Sequence, residues 1–184
     1  MAKLILGFVG KLASGKDASK KYLEEKYGAS SHRFSTALRD ILNRLYIPII
    51  RQNLQDLSLD LRNRFGSDTL ARVIAEDVKN NKNEFIVVDG IRRMDDIINL
   101  KNVEGFHLVS IEASEQIRYE RMVKRNENIG DDKKTFDDFI NDGNKEAELE
   151  IPIVMGNASF TINNDGNLQD LYKQIDEIII KLNK

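Results

Sequence analysis

The stretch Gly10–Asp17, GKLASGKD, decides how the rest of the chain is read. It satisfies the pattern GxxxxGK[ST] at every position but the last, where Asp17 stands in place of a hydroxyl. Before it lies the apolar run Leu4–Val9, short enough for a buried strand; after it comes a helical pattern from Lys16 to Lys26. In a frame of strand, loop and helix, Gly10 and Gly15 let the backbone turn so that successive N–H groups converge on phosphate oxygens. The helix N-terminus adds partial positive charge, and Lys16 extends to the terminal phosphates. The residues expected around a nucleotide are Gly10, Leu12, Ala13, Ser14, Gly15, Lys16, Asp17 and Ala18. Asp17 is an expected magnesium ligand, directly or through a water, because carboxylate oxygen suits a hard cation that keeps part of its hydration shell. It also complements the dipole of the helix's first turn.

Outward from this loop, further short apolar runs occur at Phe85–Val88, Phe106–Ile111 and Ala158–Ile162, with a weaker one at His32–Phe34. The intervening segments carry helical periodicity. The clearest is the last, where Leu168, Leu171, Ile175, Ile178 and Leu182 recur behind an Asn167 cap. Strands alternating with helices predict an α/β fold, a parallel five-stranded sheet covered by helices on both faces in three layers. Between Ala37 and Lys79 the alternation lapses into two or three consecutive helices broken only at Pro48, an insert (36–80) suited to closing over a ligand.

Composition narrows the function. The chain has 184 residues, the size of one ordinary domain, read here as spanning 1–184 without repeats or linkers. Its formal net charge of -2 argues against a protein that coats nucleic acid, so no nucleic-acid partner is expected and any basic site must be local. With 0 cysteines, disulfides and thiolate zinc sites are excluded. His32 and His107 are far apart in sequence and read as packing or surface residues. The run LILGFVG is too short for a membrane span and lacks a cleavage signal, so the expectation is a cytoplasmic protein with no membrane partner. The oligomeric state is left open.

Three arginine-bearing segments join the loop. STALRD, Ser35–Asp40, follows the weak strand, with Ser35 or Thr36 expected to cap a helix and Arg39 on its first turn near the strand ends, where open α/β sheets bind ligands. VVDGIRR, Val87–Arg93, sets Asp89 at the carboxyl end of a buried strand, placed for magnesium or its waters, and turns Arg92 toward a second anion. IRYERMVKR, Ile117–Arg125, reads as a helix behind a Ser114 cap, with Arg118, Arg121 and Arg125 on one face. Their mutual repulsion calls for an anion such as a triphosphate.

These segments, in this order, resemble the nucleoside monophosphate kinase group of P-loop kinases. TALR at Thr36–Arg39 is similar to the GDxLR segment of adenylate kinases, DGIRR at Asp89–Arg93 to their DGxPR, and ERMVKR at Glu120–Arg125 to the helix preceding their lid. GKD resembles the phage-type deoxynucleoside monophosphate kinases, while DGIR and the stretch Asn163–Gly166 resemble uncharacterised archaeal adenylate-kinase-like proteins and dephospho-CoA kinases. The resemblance implies a P-loop NTPase fold with a helical acceptor-binding insert and a short lid at 126–134. It implies ATP as phosphoryl donor, Mg2+ as cofactor and a small nucleotide as acceptor. By position, Arg39 and Arg92 would hold the acceptor's phosphate, and Lys16, Arg121 and Arg125 the transferring group. Asn164 would lie near the donor base, with Asp17 and Asp89 at the metal. The chain departs from adenylate kinase at Thr36, which replaces an acid, and in having no arginine after Arg125. An acceptor that is itself a phosphate needs positioning more than a base, so the missing acid suits a nucleoside or deoxynucleoside monophosphate; dephospho-CoA, a hydroxyl acceptor, is the alternative. A non-catalytic nucleotide-binding module is the remaining alternative.

Overall fold

A computed structural model describes residues 3–125, 131–143 and 148–183. Its centre is a parallel sheet of β1 (Leu4–Val9), β2 (Ser30–Arg33), β3 (Phe85–Asp89), β4 (Phe106–Glu112) and β5 (Phe160–Asn163), in the order β2-β3-β1-β4-β5. Side chains alternate across each strand, so β1 sends Ile5 and Val9 to one face and Leu6 and Phe8 to the other, all buried. Two helices, α1 (Lys16–Tyr27) and the C-terminal α9 (Leu168–Leu182), cover the second face through Leu23, Leu171, Ile175, Ile178 and Ile179. Asn167 caps α9 as its sequence predicts, accepting from the N–H groups of Gln169 and Asp170.

The first face is covered by the insert and by short helices. After β2 come α2 (Phe34–Arg44), α3 (Arg51–Phe65) and α4 (Thr69–Asn80); after β3 comes α5 (Met94–Ile98). Beyond β4, α6 (Glu115–Arg125), α7 (Phe136–Gly143) and α8 (Ile151–Met155) precede β5. Leu38, Leu70, Ile74, Val78, Ile97 and Val154 from these helices meet the sheet.

Several expectations are corrected here. Helix α2 starts at Phe34, directly off β2, with Arg33 in the cap position and no side-chain cap bond, so neither Ser35 nor Thr36 caps it. Burial of Phe34 against the first-face core draws that residue out of the strand. Arg39 consequently falls in the second helical turn. Pro48 is also not the lone break, because Gly66, at φ 108, separates α3 from α4. Of the lid segment 126–134, residues 126–130 lie outside the described residues, and 131–133 form a single 3-10 turn. Among the described residues, no helix is long and apolar enough to cross a membrane.

Candidate active site

Strand β1 is central, flanked by β3 on one side and β4 on the other. The loop Gly10–Gly15 therefore leaves its carboxyl end at the point where the strand order reverses, the crevice in which open α/β sheets bind ligands. Two left-handed residues shape it: Gly15, at φ 115, and Ala13, at φ 59. A non-glycine residue in that region is strained and persists only when its surroundings over-determine it. Those surroundings are visible. Ser14 is buried at 1% exposure, and its carbonyl accepts from Asn164 Nδ2 at 2.7 Å. Arg118 Nη1 reaches the Leu12 carbonyl at 3.3 Å while its Nε bonds Ala113 O, and its guanidinium lies over the Phe139 ring.

Lys16 crosses the mouth of the loop, Nζ donating to Gly10 O at 2.6 Å and Lys11 O at 3.0 Å. Burial lowers its proton affinity, while the negative fields of Asp89, Glu148 and Asp17 oppose that shift. A lysine so placed is a cation largely stripped of water, with the two loop carbonyls as its hydrogen-bond partners. A cavity of about 170 Å³ opens beside it, lined by Ala13 to Ala18 and by Arg121 and Arg125. Arg121 donates from Nη2 to Gly166 O at 3.1 Å, and its Nη1 is buried without a hydrogen-bond partner. Arg125 Nη1 meets Asp17 Oδ2 at 3.0 Å.

Of the residues singled out from sequence, Ala13 to Ala18, Arg121 and Arg125 thus share one cavity, whereas Gly10 and Leu12 are not part of its lining. Asp89 is 4% exposed at the end of β3, one oxygen accepting from Gly90 N–H, and acts electrostatically on Lys16. Arg92 stands at the end of the same loop, Nη1 paired with Glu148 Oε1 at 3.1 Å. Arg39 is exposed on α2, outside the cavity lining, and its side chain has no hydrogen bond or ion pair among the described residues. Asn164 is 3% exposed and packed behind the loop, its Nδ2 donating to Ser14 O, so its side chain braces the loop backbone. Arg118 is likewise a buried fastening, not a third member of an open arginine face.

Asp17 and Asp89 both act electrostatically on Lys16, although no cluster of three or more candidate ligands exists among the described residues. Magnesium commonly takes one or two carboxylates with substrate phosphates and waters, so this sparse set fits.

Glu148 escaped the sequence reading. It sits in an unremarkable acidic run, ELE, and only the fold carries it to Arg92 and into the field of Lys16. Asp96 escaped too: its carboxylate accepts from the N–H groups of Arg92 and Arg93, each at 3.0 Å, and holds the DGIRR turn in shape.

No family model matches the chain. It is 29% identical to a UPF0200 protein of Pyrococcus abyssi, over 97% of both chains. It is 27% identical to one of Saccharolobus solfataricus, over 95% of this chain and 90% of the other. Among solved structures, a shikimate kinase from Bacteroides thetaiotaomicron superposes with TM-score 0.61 at 12% identity, over 98% of this chain and 99% of that one. A gluconokinase from Sinorhizobium meliloti superposes with TM-score 0.58 at 13% identity, over 98% and 93%. The fold is that of the P-loop kinases. At these identities the likeness speaks for the architecture, and the chemistry must be argued from the side chains.

Proposed function

We propose that the protein transfers the γ-phosphoryl group of ATP to a small nucleotide acceptor, most consistently a nucleoside or deoxynucleoside monophosphate. The observation that carries this reading is the convergence of Lys16, Arg121 and Arg125 on the cavity at the phosphate loop, with Asp89 at the adjacent strand end. The known P-loop kinases among the structural neighbours agree with it.

Phosphoryl transfer needs little covalent help from the protein and much positioning and charge neutralisation. The loop amides hold the β-phosphate region, and Lys16 leaves its loop carbonyls for the terminal phosphates. Arg121, with an unpartnered buried nitrogen, and Arg125, currently on Asp17, neutralise the equatorial oxygens in flight. Asp17 and Asp89 would hold magnesium, which would supply neutralisation of the polyphosphate's charge. Arg92 and Arg39 anchor the acceptor's own phosphate, and the insert α2–α4 closes over it to keep water from the donor.

A second reading, a hydroxyl acceptor such as dephospho-CoA, is supported by one observation: Asp89 is a buried carboxylate at the end of β3 whose field reaches Lys16, and in that reading it would serve as the base. One assay separates the alternatives. Purified protein with ATP and magnesium is expected to release ADP faster with one or more nucleoside monophosphates, and Arg92→Ala or Arg39→Ala to raise that acceptor's KM about tenfold or more, as loss of a charge-assisted contact does. Stimulation by dephospho-CoA alone would select the second reading. No acceptor-dependent release with any of these compounds would overturn both and leave a nucleotide-binding module.

A further inference from the structure

We infer that Glu148 is an internal competitor for the anion seat on Arg92, holding the guanidinium until a phosphate dianion displaces it. The inference rests on the reading of Arg92 as an acceptor-phosphate residue. Three observations carry it. The Glu148 carboxylate lies 3.1 Å from Arg92 Nη1, the geometry of a charge-assisted hydrogen bond. Glu148 is also held there by its neighbourhood: two residues on, Glu150 Oε2 accepts from Met94 N–H at 3.0 Å, so the segment Glu148–Glu150 is fastened at the residue that follows the turn carrying Arg92. Finally, its field reaches Lys16 and Arg118 as well as Arg92, which places a negative charge among the cations of the cleft.

The energetics make exchange reversible. Arg92 is 49% exposed and Glu148 19%, so water screens the pair and the bond is weak. A phosphate monoester brings about two negative charges and more acceptor oxygens than a carboxylate, and pairs with a guanidinium bidentately. It wins the seat, whereas a neutral nucleoside has nothing to offer Arg92 and leaves Glu148 in place. The acceptor class selected is one that presents a phosphate dianion.

Inorganic phosphate is the probe, titrated by 31P NMR with ADP and magnesium present in excess so that the phosphate loop is filled. Wild type, Glu148→Gln, Arg92→Ala and the double variant are compared, each checked for an unchanged thermal midpoint. Glu148→Gln is expected to lower the phosphate Kd by about two- to fivefold, the range for a partly exposed ion pair. In the Arg92→Ala background the same change is expected to have no effect. An unchanged Kd in Glu148→Gln, a shift that persists without Arg92, or no phosphate binding in any variant would overturn the inference. Failure of every acceptor to stimulate ADP release, with the Arg92-dependent shift intact, would instead overturn only the proposed reaction. Should Glu148→Gln be unstable, Glu148→Asp, which withdraws the carboxylate from Arg92 by one methylene, is expected to shift Kd in the same direction.

Discussion

Gly15 shows how one residue's geometry is set from both sides. Its φ of 115 is open to glycine and costly for any other residue, and an added Cβ would run into Asn164 Nδ2, the group that fastens the Ser14 carbonyl. Gly15→Ala therefore disturbs the loop and its brace together. It is expected to cost about 1–3 kcal/mol in stability and to remove detectable ATP binding by calorimetry; retention of wild-type affinity would show that the loop amides do not form the phosphate site. Asn164 illustrates the limit of motif reading at this scale. Its type and position in NNDG are visible in the sequence, but its burial behind the loop depends on β5 lying next to β4, which no local pattern encodes.

Among the elements, β2 and β4 each carry a histidine whose proton affinity burial lowers below the ordinary value of 6.5. His32 Nε2 lies 2.8 Å from Asn81 Nδ2, an amide donor that requires the neutral ring, and Asp77 opposes the shift only in part. His107 meets the edge of Phe160. Because the folded values lie below the unfolded ones, the unfolded chain binds more protons in the interval between them, and stability rises with pH there. Urea unfolding is expected to show a plateau above about pH 6.5 and a decline below it. Replacing both histidines by asparagine should flatten that part of the decline; an unaltered slope would assign it to carboxylates instead. The elements themselves were largely legible. Leu4–Val9 and the helix from Lys16 match β1 and α1 at their starts, since a buried strand leaves a continuous apolar run and the glycine-lysine loop marks the helix that follows it. The short β2 and the helices α5, α7 and α8 left weak ones, because pieces of eight residues or fewer contain too few turns to establish a period.

Across the whole molecule, the insert is tied to the sheet's ligand edge by Arg62 of α3, whose Nη2 lies 3.0 Å from Asp96 Oδ1 in a pair that is 13% and 3% exposed. The other Asp96 oxygen holds the turn bearing Arg92, so one carboxylate links the helical insert to the proposed acceptor site. Breaking such a pair from one side strands a charge out of water, and Asp96→Ala is expected to cost about 3–5 kcal/mol by urea unfolding. A loss below about 1 kcal/mol would mean that Arg62 finds water without penalty.

The sequence by itself determined the phosphate loop, its flanking strand and helix, and the α/β alternation, because each is written in residues close along the chain. Only the tertiary structure decided which arginines face the cavity, that Asn164 and Arg118 brace the loop, and that Glu148 sits on Arg92. Those pairings join segments far apart in the chain, and they are set by strand order and helix packing, which bring together side chains that have no local reason to meet.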